Sequence, residues 1–67
     1  MTPRRPLPFE QVRAINDTIE AGNAEIARVM SNAGFTLEEQ LTAAREVAAV
    51  VGETATAVQA IVAGAYA

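Results

Sequence analysis

From Thr36 to Ala67 the apolar residues recur at Leu37, Leu41, Ala44, Ala48, Val51, Ala55, Val58, Val62 and Ala65, in steps that alternate four and three without a slip. That spacing keeps a stripe on one side of an α-helix; a strand would repeat every second residue. The stripe is mostly Ala and Val, so a partner helix can approach closely while each contact buries little area. A helix with such a face needs something to lie against. The fold class this predicts is all-α.

A second stripe precedes it. Val12, Ile15, Ile19, Gly22, Ile26, Val29 and Ala33 again step by three and four, while Gln11, Arg13, Asp17, Glu20, Asn23, Glu25 and Arg28 cover the other side. This predicts a helix over residues 9–32. Gly22 costs about 1 kcal/mol of helix propensity relative to Ala, and its place in the stripe suggests close backbone approach by a partner. Ahead of it, MTPRRPLP carries three Pro that oppose helix and favour extended backbone. Residues 1–8 are therefore expected to form an extended, basic, Pro-rich arm, with Pro8 at the start of the helix. The arm holds Arg4 and Arg5 and no acid, whereas residues 9–67 hold three Arg and eight acids. Pro3 and Pro6 also have the PxxP spacing read by groove-binding modules.

Between the stripes lies SNAGFTLEEQ. Gly34 is expected to take the left-handed conformation that closes a helix. Thr36 is an N-cap candidate and Glu39, three residues on, completes a capping box. Glu38 and Glu39 suit the positive end of the new helix dipole. A connection over residues 33–36 is too short for anything but antiparallel neighbours, which makes a helical hairpin.

Whether the second helix stops at Gly52 is decided by phase. The stripe passes from Val51 to Ala55 to Val58 unchanged, and a turn would break that register. One long helix over residues 37–66 is expected, with Gly52 the place for any kink. The competing pattern is VAAVVGETATAVQAIVAG, residues 47–64. It resembles the LacI-type helix-turn-helix, with Val47, Ala48, Gly52, Thr54, Val58, Ile61 and Val62 on matching positions. That resemblance implies a turn at Gly52, a recognition helix capped by Thr54, and DNA binding in which Gln59 reads adenine. The implied recognition helix departs from such readers in presenting Thr56, Ala57, Gln59, Ala60 and Ala63 without any Arg or Lys, the residues that neutralise phosphate.

Sixty-seven residues make one small domain, and a core of that size usually needs a metal, disulfides or association to be robust. Cys and His are both absent, which removes disulfides and the usual zinc ligands and leaves association as the staple. Val47, Val50, Ala57, Ile61 and Gly64 widen the apolar surface of the second helix beyond what one neighbour covers, so a bundle on self-association is expected. The longest uncharged run, Thr54 to Ala67, is shorter than the roughly 20 residues a spanning helix needs. Neither a signal peptide nor a transmembrane segment is expected on that criterion, and the chain is placed in the cytoplasm or a virion.

Enzymatic chemistry has little to work with. Without His or Cys, and with only Ser31 and Tyr66 besides the Thr hydroxyls, nucleophile–base pairs are nearly unavailable. Asp17 with Glu20 and Glu38 with Glu39 are carboxylate pairs, but solvated helix surfaces and caps account for them. Gly22, Gly34, Gly52 and Gly64 are too dispersed for a phosphate loop. No catalytic, cofactor or metal site is assigned. The expectation is a non-enzymatic structural protein that self-associates or docks on a larger protein assembly, as accessory subunits of shells and phage particles do. The expected interface is Arg4, Arg5, Leu7 and Phe9 of the arm and its junction; Val12, Ile15, Ile19, Ile26 and Val29 of the first helix; and Leu37, Leu41, Val47, Val51, Val58, Ile61 and Val62 of the second. A DNA-binding regulator, or an antitoxin-like inhibitor folding on a partner, is the alternative.

Overall fold

The computed structural model describes residues 6–66. Two helices, α1 (Phe9–Ser31) and α2 (Leu37–Ala65), pack against one another as a hairpin, and the described residues contain no strand. The expected basic arm falls largely outside this range, Arg4 and Arg5 with it.

Pro8 opens α1 from outside. Its backbone is extended (φ −56°, ψ 148°), and its carbonyl accepts hydrogen bonds from the amides of Gln11 and Val12 at 3.0 and 3.1 Å. A Pro is tolerated there because a helix's first amide lacks an intrahelical acceptor in any case. At the other end the chain tightens. The Asn32 amide reaches the carbonyls of Arg28 and Val29 at 3.1 and 3.2 Å, and the Ala33 amide reaches Met30 at 3.3 Å. Bonds of the i to i−3 type satisfy the last carbonyls without a left-handed residue. Among the described residues none has positive φ, Gly34 included. The expectation that Gly34 closes α1 in the left-handed region is therefore corrected. Its small size serves the next helix instead: a Cβ at Gly34 would run into the carboxylate of Glu39.

That carboxylate is committed to the cap of α2. Thr36 Oγ1 accepts from the Glu39 amide at 3.1 Å, while Glu39 Oε1 accepts from the Thr36 amide at 3.3 Å and from its hydroxyl at 2.7 Å. Both halves of the capping box are present. From there α2 runs through Gly52 as a single element of 29 residues. Thr54 is interior to it and caps nothing. The Thr56 hydroxyl donates to the Gly52 carbonyl at 3.0 Å, the i to i−4 bond that a continuing helix turn allows.

The length of α2 overturns one expectation. It is long and apolar enough to cross a membrane, with an 18-residue stretch of mean hydropathy 1.5. Counting uncharged residues missed this because Glu53 interrupts the run, although it is the single charge between Val47 and Ala65. A helix places that one carboxylate among apolar turns above and below, so length and average hydropathy govern, and the expected absence of a transmembrane segment does not stand.

Little is buried between the helices. Among the described residues Ala43, at 8% exposure, is the sole buried apolar side chain, and Gly22 is the other buried position. Gly22 sets the closeness of the pair. A Cβ there would lie 3.1 Å from Cγ2 and 3.3 Å from Cβ of Thr54, with the Thr54 hydroxyl nearer still. The expected close approach at this glycine is thus made across the seam by Thr54.

Candidate interaction surface

Val62 of α2 loses solvent to the hairpin, and so does the line Ala43, Val47, Val50, Thr54, Val58, Ile61 and Ala65. Their steps average close to 3.6 residues, the period of a straight helix. The stripe of Leu37, Leu41, Ala44, Ala48, Val51 and Ala55 repeats every 3.5 and is exposed along this whole stretch. A 3.5-residue repeat drifts about 20° per heptad around a straight helix. The stripe accordingly starts on an open flank of α2 and enters the seam only at Val58, Val62 and Ala65. Leu37 is 73% exposed, Leu41 49% and Val51 52%.

The hairpin consequently has two unlike sides. On one, a shallow groove of about 440 Å³ runs between the helices, walled by Ile19, Asn23 and Ile26 of α1 and by Val51, Ala55 and Val58 of α2, with Gly22 and Thr54 lining it as well. Steps of seven along each helix extend that side to Val12 on α1 and to Ala44, Ala48, Leu37 and Leu41 on α2. On the other, near the turn, a groove of about 600 Å³ is lined by Glu25, Arg28, Glu38, Glu39 and Glu46 beside Asn32, Thr42 and the small or apolar Val29, Ala33, Gly34 and Ala43. Arg28 pairs there with Glu25 one turn back. Apolar and acidic surfaces are thus sorted to opposite flanks of one seam.

The expected interface residues divide the same way. Val12, Ile19, Leu37, Leu41 and Val51 are exposed on the apolar side or its rim. Val47, Val58, Ile61 and Val62 are half-buried on α2, as are Ile15, Ile26 and Val29 on α1. Leu7 is half-buried and Phe9 exposed at the open end. Ala43, Thr54 and Met30 escaped the sequence reading as contact positions. Thr54 looked like a cap and is a seam residue. Met30 and Phe35 are exposed at the turn end, Phe35 at 99%. The seam on α2 had a signal: Ala43 through Ala65 at straight-helix spacing is legible, but the stricter heptad of larger side chains at Leu37 and Leu41 masks it.

Among the described residues no cluster of three or more acidic, His or Cys side chains is placed to hold a metal. Glu38 sits in the first turn of α2, where the helix dipole accommodates it, and Glu39 is held in the cap. Comparison with protein families, with characterised proteins and with solved structures gives no significant match to any of them.

Proposed function

We propose that this chain is a non-enzymatic assembly protein, of the kind that serves as an accessory subunit of a shell or phage particle, and that it works by laying the apolar side of the hairpin on another protein surface. The observation that carries this is the two-sided surface around a seam that buries only Ala43 and Gly22. A hairpin with so small a core needs further burial to hold its shape. The apolar side supplies it, and the acidic side stays in solvent. Arg4, Arg5 and Leu7 would add an outer contact once the apolar side is seated, giving register and rate more than affinity.

Binding to DNA through residues 47–64 needs a turn at Gly52, and α2 continues through that residue as one element. Hydroxyl-radical footprinting tests the assembly function whatever the partner. Met30 and Leu41, both exposed in the hairpin, should oxidise readily in the dilute chain and become protected in the assembled fraction. Equal oxidation in both fractions would refute it.

A further inference from the structure

We infer that the surface covering the apolar side is a second copy of the same hairpin, giving a bundle of four helices in two layers. The inference rests on the assembly function proposed above and names its partner. Size is the first argument. With 23 residues in α1 and 29 in α2 at 1.5 Å rise per residue, and two helices spaced 8–10 Å apart, the apolar side averages roughly 39 by 20 Å, or about 780 Å². A standard stable interface takes about 800 Å² from each partner. An identical hairpin matches that strip in length and width, and it brings an equal apolar strip that needs covering too.

Closure is the second argument. The groove along the apolar side has Ile19 and Ile26 on one wall and Val51 and Val58 on the other, so each copy presents aliphatic ridges of matching chemistry. The opposite side carries near the turn Glu25, Glu38, Glu39 and Glu46 against the one cation Arg28, an acidic excess that disfavours a third layer of its own kind. Burial therefore stops at two hairpins and does not propagate. Charge also favours a protein over a lipid surface. The chain carries −3 overall, whereas helices that lie on membranes border their apolar face with Lys and Arg to meet anionic headgroups.

Sedimentation equilibrium across a wide range of concentration tests this, on the full chain and two variants. Val51→Asp places a carboxylate in the proposed interface at a position already half open to solvent, so the hairpin itself need not be lost; Glu46→Gln alters only the acidic side. The full chain and Glu46→Gln should form a two-chain species, and Val51→Asp should raise its dissociation constant by about 100-fold or more, since an unpaired buried carboxylate is present in both copies. Circular dichroism of Val51→Asp checks that helix is retained. A two-chain species that Val51→Asp leaves intact would overturn the inferred interface. A chain that sediments singly, yet shows Met30 and Leu41 protected on a host assembly, would overturn the second copy and leave the assembly function standing. Flotation of the chain with phosphatidylcholine vesicles, with those residues protected there and nowhere else, would overturn both.

Discussion

Two glycines in the middle of helices make a matched experiment, because Gly22 and Gly52 pay the same intrinsic cost and have opposite surroundings. Replacing a mid-helix Gly by Ala gains about 1 kcal/mol from propensity alone. At Gly52 a new Cβ meets nothing within 4 Å, so the whole gain should appear as stability. At Gly22 the new Cβ would stand 3.1 Å from Thr54 Cγ2 and 3.3 Å from Thr54 Cβ, and closer to the hydroxyl. Carbon pairs prefer roughly 3.5–4.0 Å. Turning the Thr54 side chain moves Oγ1 and Cγ2 but leaves its Cβ where it is, so the helices themselves must separate. Overpacking of this sort costs about 1–3 kcal/mol, which cancels or exceeds the propensity gain. Gly52→Ala should therefore be more stable than Gly22→Ala by about 1–3 kcal/mol, and at about 4–8 °C per kcal/mol for a domain this size the melting temperatures should separate clearly. The assay is urea and thermal unfolding followed by circular dichroism, at one protein concentration because association would shift the midpoint. Thr54→Ala in the Gly22→Ala background should recover most of the loss, since it removes both atoms in closest conflict. A Gly22→Ala chain as stable as Gly52→Ala would refute the close seam, and with it the assignment of which α2 line faces α1.

The cap and the turn give further tests by the same unfolding measurement. Thr36→Ala removes the acceptor of the Glu39 amide and should cost about 1 kcal/mol. Gly34→Ala should cost a comparable amount by pushing the Glu39 carboxylate out of the cap, and that loss should shrink in a Thr36→Ala background, where half of the cap is already gone. Ile19→Asp, on the wall of the apolar groove, should weaken self-association, read as a concentration-dependent loss of helix in dilute samples. Arg4→Ala with Arg5→Ala should leave helix content unchanged and weaken only partner contacts, an effect that fades as salt rises.

The hairpin was legible because its signals are local. Thr36 and Glu39 state where α2 begins, the stripe through Gly52 states that it continues, and the short segment between the helices fixes their sense. What was not legible is rotation, meaning which line of each helix turns inward. Leu37 and Leu41 share with Ile61 the largest apolar side chains of α2, and they draw the eye to the exposed stripe. Opposite Gly22 the seam takes the smaller Thr54, because that glycine brings the backbones too close for Leu there, while Ile61, as large as Leu, enters it farther along. Size governs the packed line here more than hydrophobicity does, and size complementarity depends on the opposite helix. Gly34 illustrates a different limit. A glycine after a helix commonly signals a left-handed residue, but α1 closes on i to i−3 bonds, and the glycine answers to a carboxylate five residues later.

The apolar character of α2 has one further consequence, which sets the hairpin against the membrane-length property of the same helix. Six charged residues lie on α1 between Glu10 and Arg28, and the Gly22–Thr54 contact holds that helix against the stretch of α2 from Val47 to Ala65. A bilayer core has no water to solvate such groups, and each charge at its centre costs several kcal/mol. The closed hairpin and a spanning α2 therefore exclude one another: α1 must leave the seam before α2 can cross. Thr54 would exchange its contact with Gly22 for lipid or for another helix, and Glu53 would need a partner or protonation. Because the same contact opposes both separation of the helices and insertion, Gly22→Ala should increase any association with phosphatidylcholine vesicles, while Gly52→Ala, which leaves the seam untouched, should not increase it through this route. Vesicle binding that rises equally in both variants would show that α2 reaches lipid without opening the hairpin.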